Sequence, residues 1–301
     1  MSDRIAIIGA GRIGLALGTA LHRSGEAERL VYYGRSMEPP PHPIFDAASA
    51  PSGDDDEGDE PAVEYRIWPA PLPGGTTIVL LAVPDTALAE VAHDLALTGP
   101  APGGCAALHL AGALTADVLA PLHSAGYAVG SIHPLQAVAD PWLAADRLFD
   151  ITFALAGEPA AIAAGRRIAD ALAGRTIVIA PAHRPVYHAA AVTASNGLVA
   201  VLAGAVRMLA QAGVGESDAV EALLPLVRGT LDNLQNLGVR GALTGPIVRG
   251  DVDTVRLHLA RLSPADRALY CALGAELLRL ARAAGLDDER ARDIDELLAG
   301  G

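Results

Sequence analysis

The fold of this chain is decided by residues 4–18, which read RIAIIGAGRIGLALG. A short run of mainly β-branched side chains comes first, three closely spaced glycines follow, and Leu15 and Leu17 continue at helical spacing. This order predicts a strand, a tight turn and a helix with no break between them.

The glycines form the pattern G-x-G-x-x-G, and each has its own mechanical role. Gly9 permits the turn, Gly11 lets the main chain approach a pyrophosphate without an intervening Cβ, and Gly14 lets the helix pack against its strand. The N-terminus of the helix, where Arg12 and Ile13 lie, offers free N–H groups and a positive dipole to phosphates. The turn therefore predicts dinucleotide binding; the alternative is a glycine-rich turn that binds nothing.

The end of the second predicted strand, residues 30–33, indicates which dinucleotide is bound. An NAD site needs an acidic side chain there to hold the ribose 2′-hydroxyl, and this chain has Arg35 and Ser36 instead. A guanidinium and a hydroxyl suit a 2′-phosphate, which favours NADP(H) over NAD(H). Arg12 could touch the same phosphate or stack on adenine. For each arginine, the alternative is a solvated loop charge.

Composition limits the class of protein. At 301 residues and 51% hydrophobic content, the chain can bury the core of one large or two modest domains. We find no segment typical of a signal peptide and no apolar run long enough to span a membrane, so we expect a cytoplasmic protein. Cys105 and Cys271 lack metal-ligand spacing, which predicts reduced core cysteines and no metal site.

The charged residues exclude further classes. A net charge of −13 argues against nucleic acid or an anionic membrane as partner, although residues 54–60 supply much of it. All 22 basic residues are arginines, so no lysine can serve as acid, base or Schiff base in any reaction proposed for this chain.

Strand and helix signals alternate as far as residue 180. Strands are predicted at 63–68, 76–83, 106–110, 127–132, 151–155 and 176–179, and helices at 84–98, 115–125 and 159–172. This alternation predicts an α/β fold with a doubly wound, Rossmann-type parallel sheet.

The remaining chain has two other parts. Residues 37–61 are rich in Pro, Ser, Gly and acidic side chains, which predicts a mobile surface insertion. Helices are predicted at 185–212, 216–237, 251–262, 264–284 and 287–298. We therefore expect an NADP-binding domain over 1–180 and an all-helical domain over 181–301. The alanine-rich helical faces favour a homodimer through the second half.

Five segments together resemble a bacterial family of Rossmann-like oxidoreductases whose second half is a domain of unknown function. The segments are GAGRIG (9–14), AVPD (82–85), GSIHPLQ (130–136), RPVYHAAA (184–191) with ASN (194–196), and ALTGPIVRGD (242–251). The family is similar to ketopantoate reductases, pyrroline-5-carboxylate reductases and prephenate dehydrogenases. The resemblance implies a fold and a reaction class, NADP-dependent oxidoreduction, but no substrate.

One departure from those relatives concerns catalysis. Ketopantoate reductases carry a catalytic lysine on the first helix after the nucleotide domain, and this chain has no lysine. His188 lies on the helix that begins there, and Ser195 and Asn196 return to the same face two turns later. We expect His188 to donate a proton, Asn196 to orient the substrate and Ser195 to assist. The alternative is a set of polar residues that bridges helices at a dimer interface.

Two further clusters follow predicted strands. Val83, Pro84 and Asp85 correspond to the segment that passes the nicotinamide ribose in related folds; the alternative for Asp85 is to cap its helix. His109 and His133 end two successive strands and are expected to face the same crevice. The resemblance to prephenate dehydrogenases implies that His133 contacts substrate. The alternative for either histidine is a hydrogen bond to a loop carbonyl.

A glycine-containing turn in the helical half supplies the last candidates. Thr244 and Arg249 lie just before a predicted helix, where a hydroxyl and a guanidinium would suit a substrate carboxylate. The alternative for Arg249 is to pair with Asp251 or Asp253.

Together these residues predict an NADPH-dependent reductase of a small 2-oxo acid, ketopantoate-like, or of the corresponding imino acid. The rival interpretation is an NADP(H)-sensing regulatory protein without turnover. Transfer of the hydride to a second redox cofactor, such as a deazaflavin, also stays open.

Overall fold

The computed structural model of the chain describes residues 3–47 and 62–300. It divides into two compact units, with the border between Val192 and Thr193. This border falls inside a long helix, twelve residues after the point where the strand signals end in the sequence.

The first unit is built on one eight-stranded sheet. Its strands are β1 (Asp3–Ile8), β2 (Ala27–Gly34), β3 (Val63–Ile67), β4 (Ile78–Leu81), β5 (Ala106–His109), β6 (Ala128–Pro134), β7 (Thr152–Gly157) and β8 (Arg175–Val178). They lie in the order β3-β2-β1-β4-β5-β6-β7-β8. The chain reverses its direction of winding at β1 and β4, which opens a crevice at their carboxyl ends. The predicted Rossmann-type fold is thereby confirmed.

Two strands depart from the predicted parallel sheet, because β8 pairs parallel with β7 and so runs opposite to β6 as well. β7 runs antiparallel to β6, with Pro134 opposite Phe153 and Gly130 opposite Gly157. The segment between them holds only a six-residue helix, α5 (Pro141–Asp146). A parallel connection needs a crossover along the full strand. This chain instead re-enters the sheet beside the carboxyl end of β6, so β7 runs in the direction opposite to β6.

Helices cover both faces of the sheet. The helices of this unit are α1 (Arg12–Ser24), α2 (Pro43–Ala47), α3 (Leu88–Leu97), α4 (Ala120–Ser124), α5 and α6 (Pro159–Ala171). Along β1, Ile5 and Ile7 join the core on the side of α1, while Ala6 and Ile8 join the core on the opposite side. Burial on both faces explains why the strands read as continuous apolar runs.

The region predicted to be a mobile insertion is partly ordered. Residues 48–61 lie outside the described part of the chain, but α2 precedes them and packs on the sheet. Ile44 is buried, and the Phe45 ring meets Tyr32 edge-on with 5.1 Å between ring centroids. The prediction was therefore wrong for the residues of α2, because two apolar side chains among the prolines find a place in the core.

The second unit is entirely helical over its described residues. Its helices are the C-terminal part of α7 (Arg184–Gln211), α8 (Glu216–Gly241), α9 (Pro246–Arg249), α10 (Val252–Leu259), α11 (Pro264–Ala283) and α12 (Asp288–Ala299). α8 is interrupted at Gly238, which has φ 69°. The helix predicted to stop at 237 therefore does break there. The short α9 was not expected.

A small core and one polar cluster hold these helices together. The core is formed by apolar side chains of α9 to α12, among them Ile247, Val255, Leu278 and Ile294. Asp266 at the start of α11 is 2% exposed and accepts hydrogen bonds from Arg207 and Gln211 of α7. Its carboxylate therefore fixes α11 to the C-terminal half of α7.

The longest apolar helix contradicts one sequence-based expectation. Among the described residues, the segment Pro181–Gln211 is long and apolar enough to cross a membrane by length and composition. The sequence does not stand out there as a continuous apolar run, because alanines and glycines separate the larger apolar side chains. One such helix is weak evidence for a membrane span. What it does show is an apolar surface, since Val186 and Val199 are exposed.

Candidate active site

The glycine turn between β1 and α1 has the geometry of a phosphate cradle. Gly9 has φ 110°, and a Cβ there would lie 2.5 Å from the carbonyl oxygen of Ala82. At Gly14 a Cβ would lie 2.1 Å from the carbonyl oxygen of Gly9, so α1 packs directly on the turn. Gly11, by contrast, faces open space. The turn is thus closed on the protein side and bare on the side where phosphates would lie.

A cleft of about 400 Å³ opens beside this turn. Its lining comes from the carboxyl ends of β1, β2 and β4 and from the start of α3, and includes Gly9, Gly11, Arg35, Trp68, Val83 and Pro84. The three strands meet at the topological switch point, where open α/β sheets bind their ligands. Five of the ten predicted cofactor-binding residues therefore line one cleft, namely Gly9, Gly11, Arg35, Val83 and Pro84.

The loop after β2 presents the predicted phosphate-binding side chains. The Tyr65 hydroxyl donates a 3.0 Å hydrogen bond to the carbonyl of Ser36, which anchors the loop. Arg12 and Arg35 are exposed, and neither pairs with any side chain in the described ranges. Arg35 lines the cleft, so its unpaired guanidinium matches the expectation of a 2′-phosphate site.

Asp85 does not cap the helix that follows it, which was the alternative to a role at the cofactor. It begins a short 3₁₀ turn before α3, and neither that turn nor α3 is capped by a side chain. Its carboxylate is exposed at the carboxyl end of β4, beside Val83 and Pro84. Helix capping therefore does not explain this residue.

His109 bonds a loop carbonyl, which was the alternative to a contact with substrate. Its Nδ1 accepts a hydrogen bond from the N–H of Ala111 at 3.2 Å, which leaves Nε2 to donate to the carbonyl of Thr115 at 3.2 Å. The ring is fully buried, and burial and the Arg184 charge lower its pKa to about 4. Both nitrogens are occupied within one loop, which disfavours the predicted contact with substrate.

His133 takes part in a pair that the sequence did not predict. Its Nδ1 lies 2.7 Å from the hydroxyl of Tyr187, a short hydrogen bond. Burial, the nearby His188 and Arg184 lower the pKa of His133 to about 4. Burial raises the pKa of Tyr187 to about 12, against a smaller opposite effect of Arg184. Both groups are therefore neutral near pH 7, with two exchangeable protons between them.

His188 lies against this pair. Its ring meets that of His133 edge-on, with 5.6 Å between centroids. On the other side, a Cβ on Gly112 would lie 2.1 Å from Nδ1 of His188. Glycine at that position lets the imidazole contact the main chain of the loop after β5. Nδ1 is buried there with no partner among the described atoms, and the residue as a whole is half-buried.

Arg184 lies beneath the same group and was also missed. Its side chain is fully buried, and its Nε and Nη2 donate to the carbonyls of Leu114 and Ala111 at 3.2 and 2.5 Å. Its Cζ lies 5.6 Å from the centre of the Tyr187 ring. Arg184 and Tyr187 stand next to His188 in the segment RPVYH, and that proximity was the available signal.

The other predicted catalytic residues belong to the second unit. Ser195 is half-buried and Asn196 exposed, and both lie on α7, which the structure forms as one helix from Arg184 to Gln211. The two-turn spacing from His188 therefore holds along the helix. Their roles stay predictions.

Arg249 lies in surroundings that disfavour its predicted role. It is exposed in a surface cleft with Arg290 and five carboxylates, those of Asp251, Asp253, Asp287, Glu289 and Asp293. An anion there would meet an excess of negative charge. Asp251 accepts a hydrogen bond from the N–H of Thr254 and so caps α10. Together with this bond and one from the Thr254 hydroxyl, the Arg249 charge lowers the Asp251 pKa. No ion pair joins Arg249 to Asp251 or Asp253 among the described residues, and Asp253 pairs with Arg256 instead. The roles of Arg249 and Thr244 at a substrate carboxylate stay predictions that these surroundings disfavour.

No grouping of three or more His, Cys, Asp or Glu side chains suited to a metal ion occurs within 3–47 and 62–300. Cys105 and Cys271 are free thiols. Burial raises the pKa of the Cys105 thiol to about 12, so that side chain is inert.

Two family models match the chain. Residues 64–134 match a Rossmann-like domain, and residues 151–277 match DUF2520, a domain of unknown function. The chain joins a Rossmann-like domain to a DUF2520 domain. Arg184, Tyr187 and His188 thus all fall within the segment that matches DUF2520. No curated protein gives a significant sequence match.

Solved structures share the fold over nearly the whole chain. Protein TM1727 from Thermotoga maritima is 22% identical, with a TM-score of 0.70 over 93% of this chain and 99% of that one. Pyrroline carboxylate reductase from Plasmodium falciparum with NADP bound is 11% identical, with a TM-score of 0.59 and 98% of each chain covered. A reductive aminase from Aspergillus terreus in complex with NADPH and ethyl-5-oxohexanoate is 13% identical, with a TM-score of 0.57 over 100% and 93%.

At these identities the comparison establishes the fold alone. It is a fold used by NADP-dependent reductases, and the cofactor predicted from the sequence is the one bound in two of these neighbours.

Proposed function

We propose that the protein is an NADPH-dependent reductase of a small 2-oxo acid, ketopantoate-like, or of a cyclic imino acid. One observation carries this proposal. His133, Tyr187 and His188 converge, with exchangeable protons, in the same unit as the glycine turn. Reduction of a C=O or C=N group needs a proton as well as a hydride, and this cluster can supply it.

The residues of the first unit fit NADPH. Gly9, Gly11 and Gly14 would hold the pyrophosphate against main-chain N–H groups, and Arg35 with Ser36 would hold the 2′-phosphate. Arg12 would add a second guanidinium. The bound cofactor would supply the hydride.

The chain's own groups would handle the proton. In this proposal His188 donates it to the carbonyl oxygen or imine nitrogen of the substrate, because its ring makes no hydrogen bond to the described residues, whereas His133 and Tyr187 bond each other. The Tyr187 hydroxyl, held by His133, positions the substrate from the neighbouring side. Asn196 orients the substrate and Ser195 assists, as expected from their place on α7.

The test is oxidation of NADPH by purified protein in the presence of a panel of 2-oxo acids and cyclic imines. We expect turnover with at least one member and NADPH binding without any substrate. Binding of NADPH without hydride transfer to any carbonyl or imine would favour the sensor interpretation instead. No binding of reduced nicotinamide nucleotides at all would exclude both.

Arg35 provides the test of cofactor choice. Arg35→Glu should weaken NADPH binding by about tenfold or more while leaving NADH binding unchanged or stronger, because a carboxylate repels the 2′-phosphate and accepts a bond from a 2′-hydroxyl. An unchanged preference would remove Arg35 from the cofactor site. Arg166→Met, at an exposed arginine of α6, is the matched control.

We also propose that the protein works as a homodimer in the cytoplasm, paired through its helical unit. Exposed apolar side chains on α7 and α8 support this, among them Val199, Leu226 and Leu237. Apolar surface of this extent on two adjacent chain segments favours a protein partner. The occupant proposed is a second copy, since α8 carries acidic side chains between its leucines and does not suit lipid.

A further inference from the structure

Arg184 is a buried cation with no acidic partner in the described part of the chain. Its side chain has no exposed surface. Burial lowers the pKa of the guanidinium, and the nearby Tyr187 has a smaller, opposite effect. Two of its nitrogens donate to main-chain carbonyls, while Nη1 is buried with no partner among the described residues. Around it lie His109, His133 and Tyr187, all neutral near pH 7.

Such an arrangement is costly in the protein alone. A buried charge is normally paired or neutralised, and a guanidinium cannot lose its proton at physiological pH. Two carbonyl dipoles satisfy hydrogen bonds but do not cancel the charge. A site that keeps an unpaired cation therefore favours an anion from outside the chain.

We infer that this anion is the carboxylate of the substrate, and that Arg184 makes the site prefer acids to neutral analogues. The inference rests on the proposed reductase function. Arg184 is covered by the Tyr187 ring, so it acts on the ligand through its electric field, as a positioning residue. A charge acts strongly over such distances where water is excluded.

Two other anion sites on the chain do not account for Arg184. The cofactor phosphates would lie at the turn after β1, whereas Arg184 holds the loop after β5, two strands or about 10 Å across the sheet. Arg249 lies among carboxylates in the second unit and does not favour an anion. Arg184 is thus the better candidate for recognising the substrate carboxylate.

The experiment separates charge from structure with two variants. Arg184→Lys keeps the positive charge and shortens the hydrogen-bonding reach, whereas Arg184→Met removes the charge and keeps similar bulk. For each acid that the panel identifies as a substrate, kcat/KM is compared with that of its primary amide. Binding of the same acid and amide to NADP-loaded protein is measured by calorimetry, a readout independent of turnover. Folding of each variant is checked by circular dichroism and NADPH binding.

We expect the native protein to prefer the acid over the amide by at least about tenfold. Arg184→Lys should keep most of this preference, and Arg184→Met should abolish it by losing activity on the acid while amide activity and NADPH binding persist. Arg166→Met should behave like the native protein.

Three outcomes would overturn the inference. One is equal use of acid and amide by the native protein, which would leave the reductase function standing. Another is a parallel loss of acid and amide activity in Arg184→Met with the ratio unchanged, which would make Arg184 a structural support for residues 111–114. The third is loss of the preference in Arg249→Gln but not in Arg184→Met. A native protein that reduces neither acid nor amide would instead refute the proposed function.

Discussion

At the residue scale, the histidines near the candidate site differ in the hydrogen bonds that their ring nitrogens make. His109 uses both ring nitrogens within its own loop, whereas His188 has a buried Nδ1 against Gly112 and no hydrogen bond in the described structure. Two histidines at successive strand ends are therefore not equivalent: one holds the loop, and the other, His133, bonds Tyr187. The difference favours a structural role for His109 and leaves the cluster around His188 as the candidate for the proposed chemistry.

His188→Ala is expected to lower kcat by about a hundredfold and to change the Kd for NADPH by less than threefold, because the imidazole gives a proton in the reaction and does not hold the cofactor. Steady-state kinetics with a substrate from the panel and a fluorescence titration with NADPH measure the two effects. His183→Ala, at an exposed histidine just before α7, is the matched control. Equal turnover in the His188 variant would exclude it as the proton donor.

The buried histidines also predict a pH dependence of stability. The pKa of His109 is lowered from 6.5 to about 4, so the unfolded chain binds more protons between these values. The free energy of unfolding should therefore fall as the pH drops from about 6.5 to 4, by up to about 3 kcal/mol for this residue. Urea unfolding at several pH values measures the slope. His109→Gln should reduce it, whereas His93→Gln, at an exposed site on α3, should not.

At the scale of elements, the turn between β1 and α1 separates two functions of glycine. Gly14 permits close packing of the helix on the turn, while Gly11 borders open space at the start of α1. One glycine is needed by the fold and the other by the ligand. The two therefore give different results on substitution by alanine.

Gly14→Ala should destabilise the protein by about 1–3 kcal/mol, because the new methyl group would lie 2.1 Å from a fixed carbonyl oxygen. Gly11→Ala should leave the free energy of unfolding within about 0.5 kcal/mol, since no atom lies near its Cβ, yet weaken NADPH binding by about tenfold or more. Chemical denaturation and a nucleotide titration of both variants check this. If Gly11→Ala bound NADPH normally, the turn would not be a phosphate cradle.

At the scale of the whole molecule, the two units differ in how they bury apolar surface. The sheet of the first unit is covered on both faces, whereas α7 and α8 expose Val199, Leu226 and Leu237 by 60% or more. Exposed apolar surface of this kind indicates association. The proposed pairing of two copies would cover this surface.

Analytical ultracentrifugation should give twice the mass of the chain, and Val199→Asp should shift the equilibrium to the monomer, because it places a charge in an apolar interface. Leu97→Asp, at an apolar side chain of α3 that is 74% exposed, should leave the dimer intact. A native protein that sediments as a monomer, or that partitions into lipid vesicles, would contradict the pairing.

The sequence by itself determined the nucleotide-binding half and the helical second half. Strand and helix periods are local, so GAGRIG, the apolar strands and the breaks at Pro181 and Gly238 could be read without tertiary information. The antiparallel β7 could not, because its direction depends on where the chain re-enters the sheet. The order in α2 likewise depends on core space that distant strands provide.

The membership of the candidate site was decided only by tertiary structure. Tyr187 belongs to the site because it bonds His133, and Arg184 because it bonds the loop after β5. Both partners lie more than fifty residues away along the chain. The predicted role of Arg249 is disfavoured by carboxylates on and next to α10 and α12 that share its surface cleft. The reason is physical: hydrogen bonding, burial and electric fields act through space, and a sequence pattern reports only the spacing of neighbours along the chain.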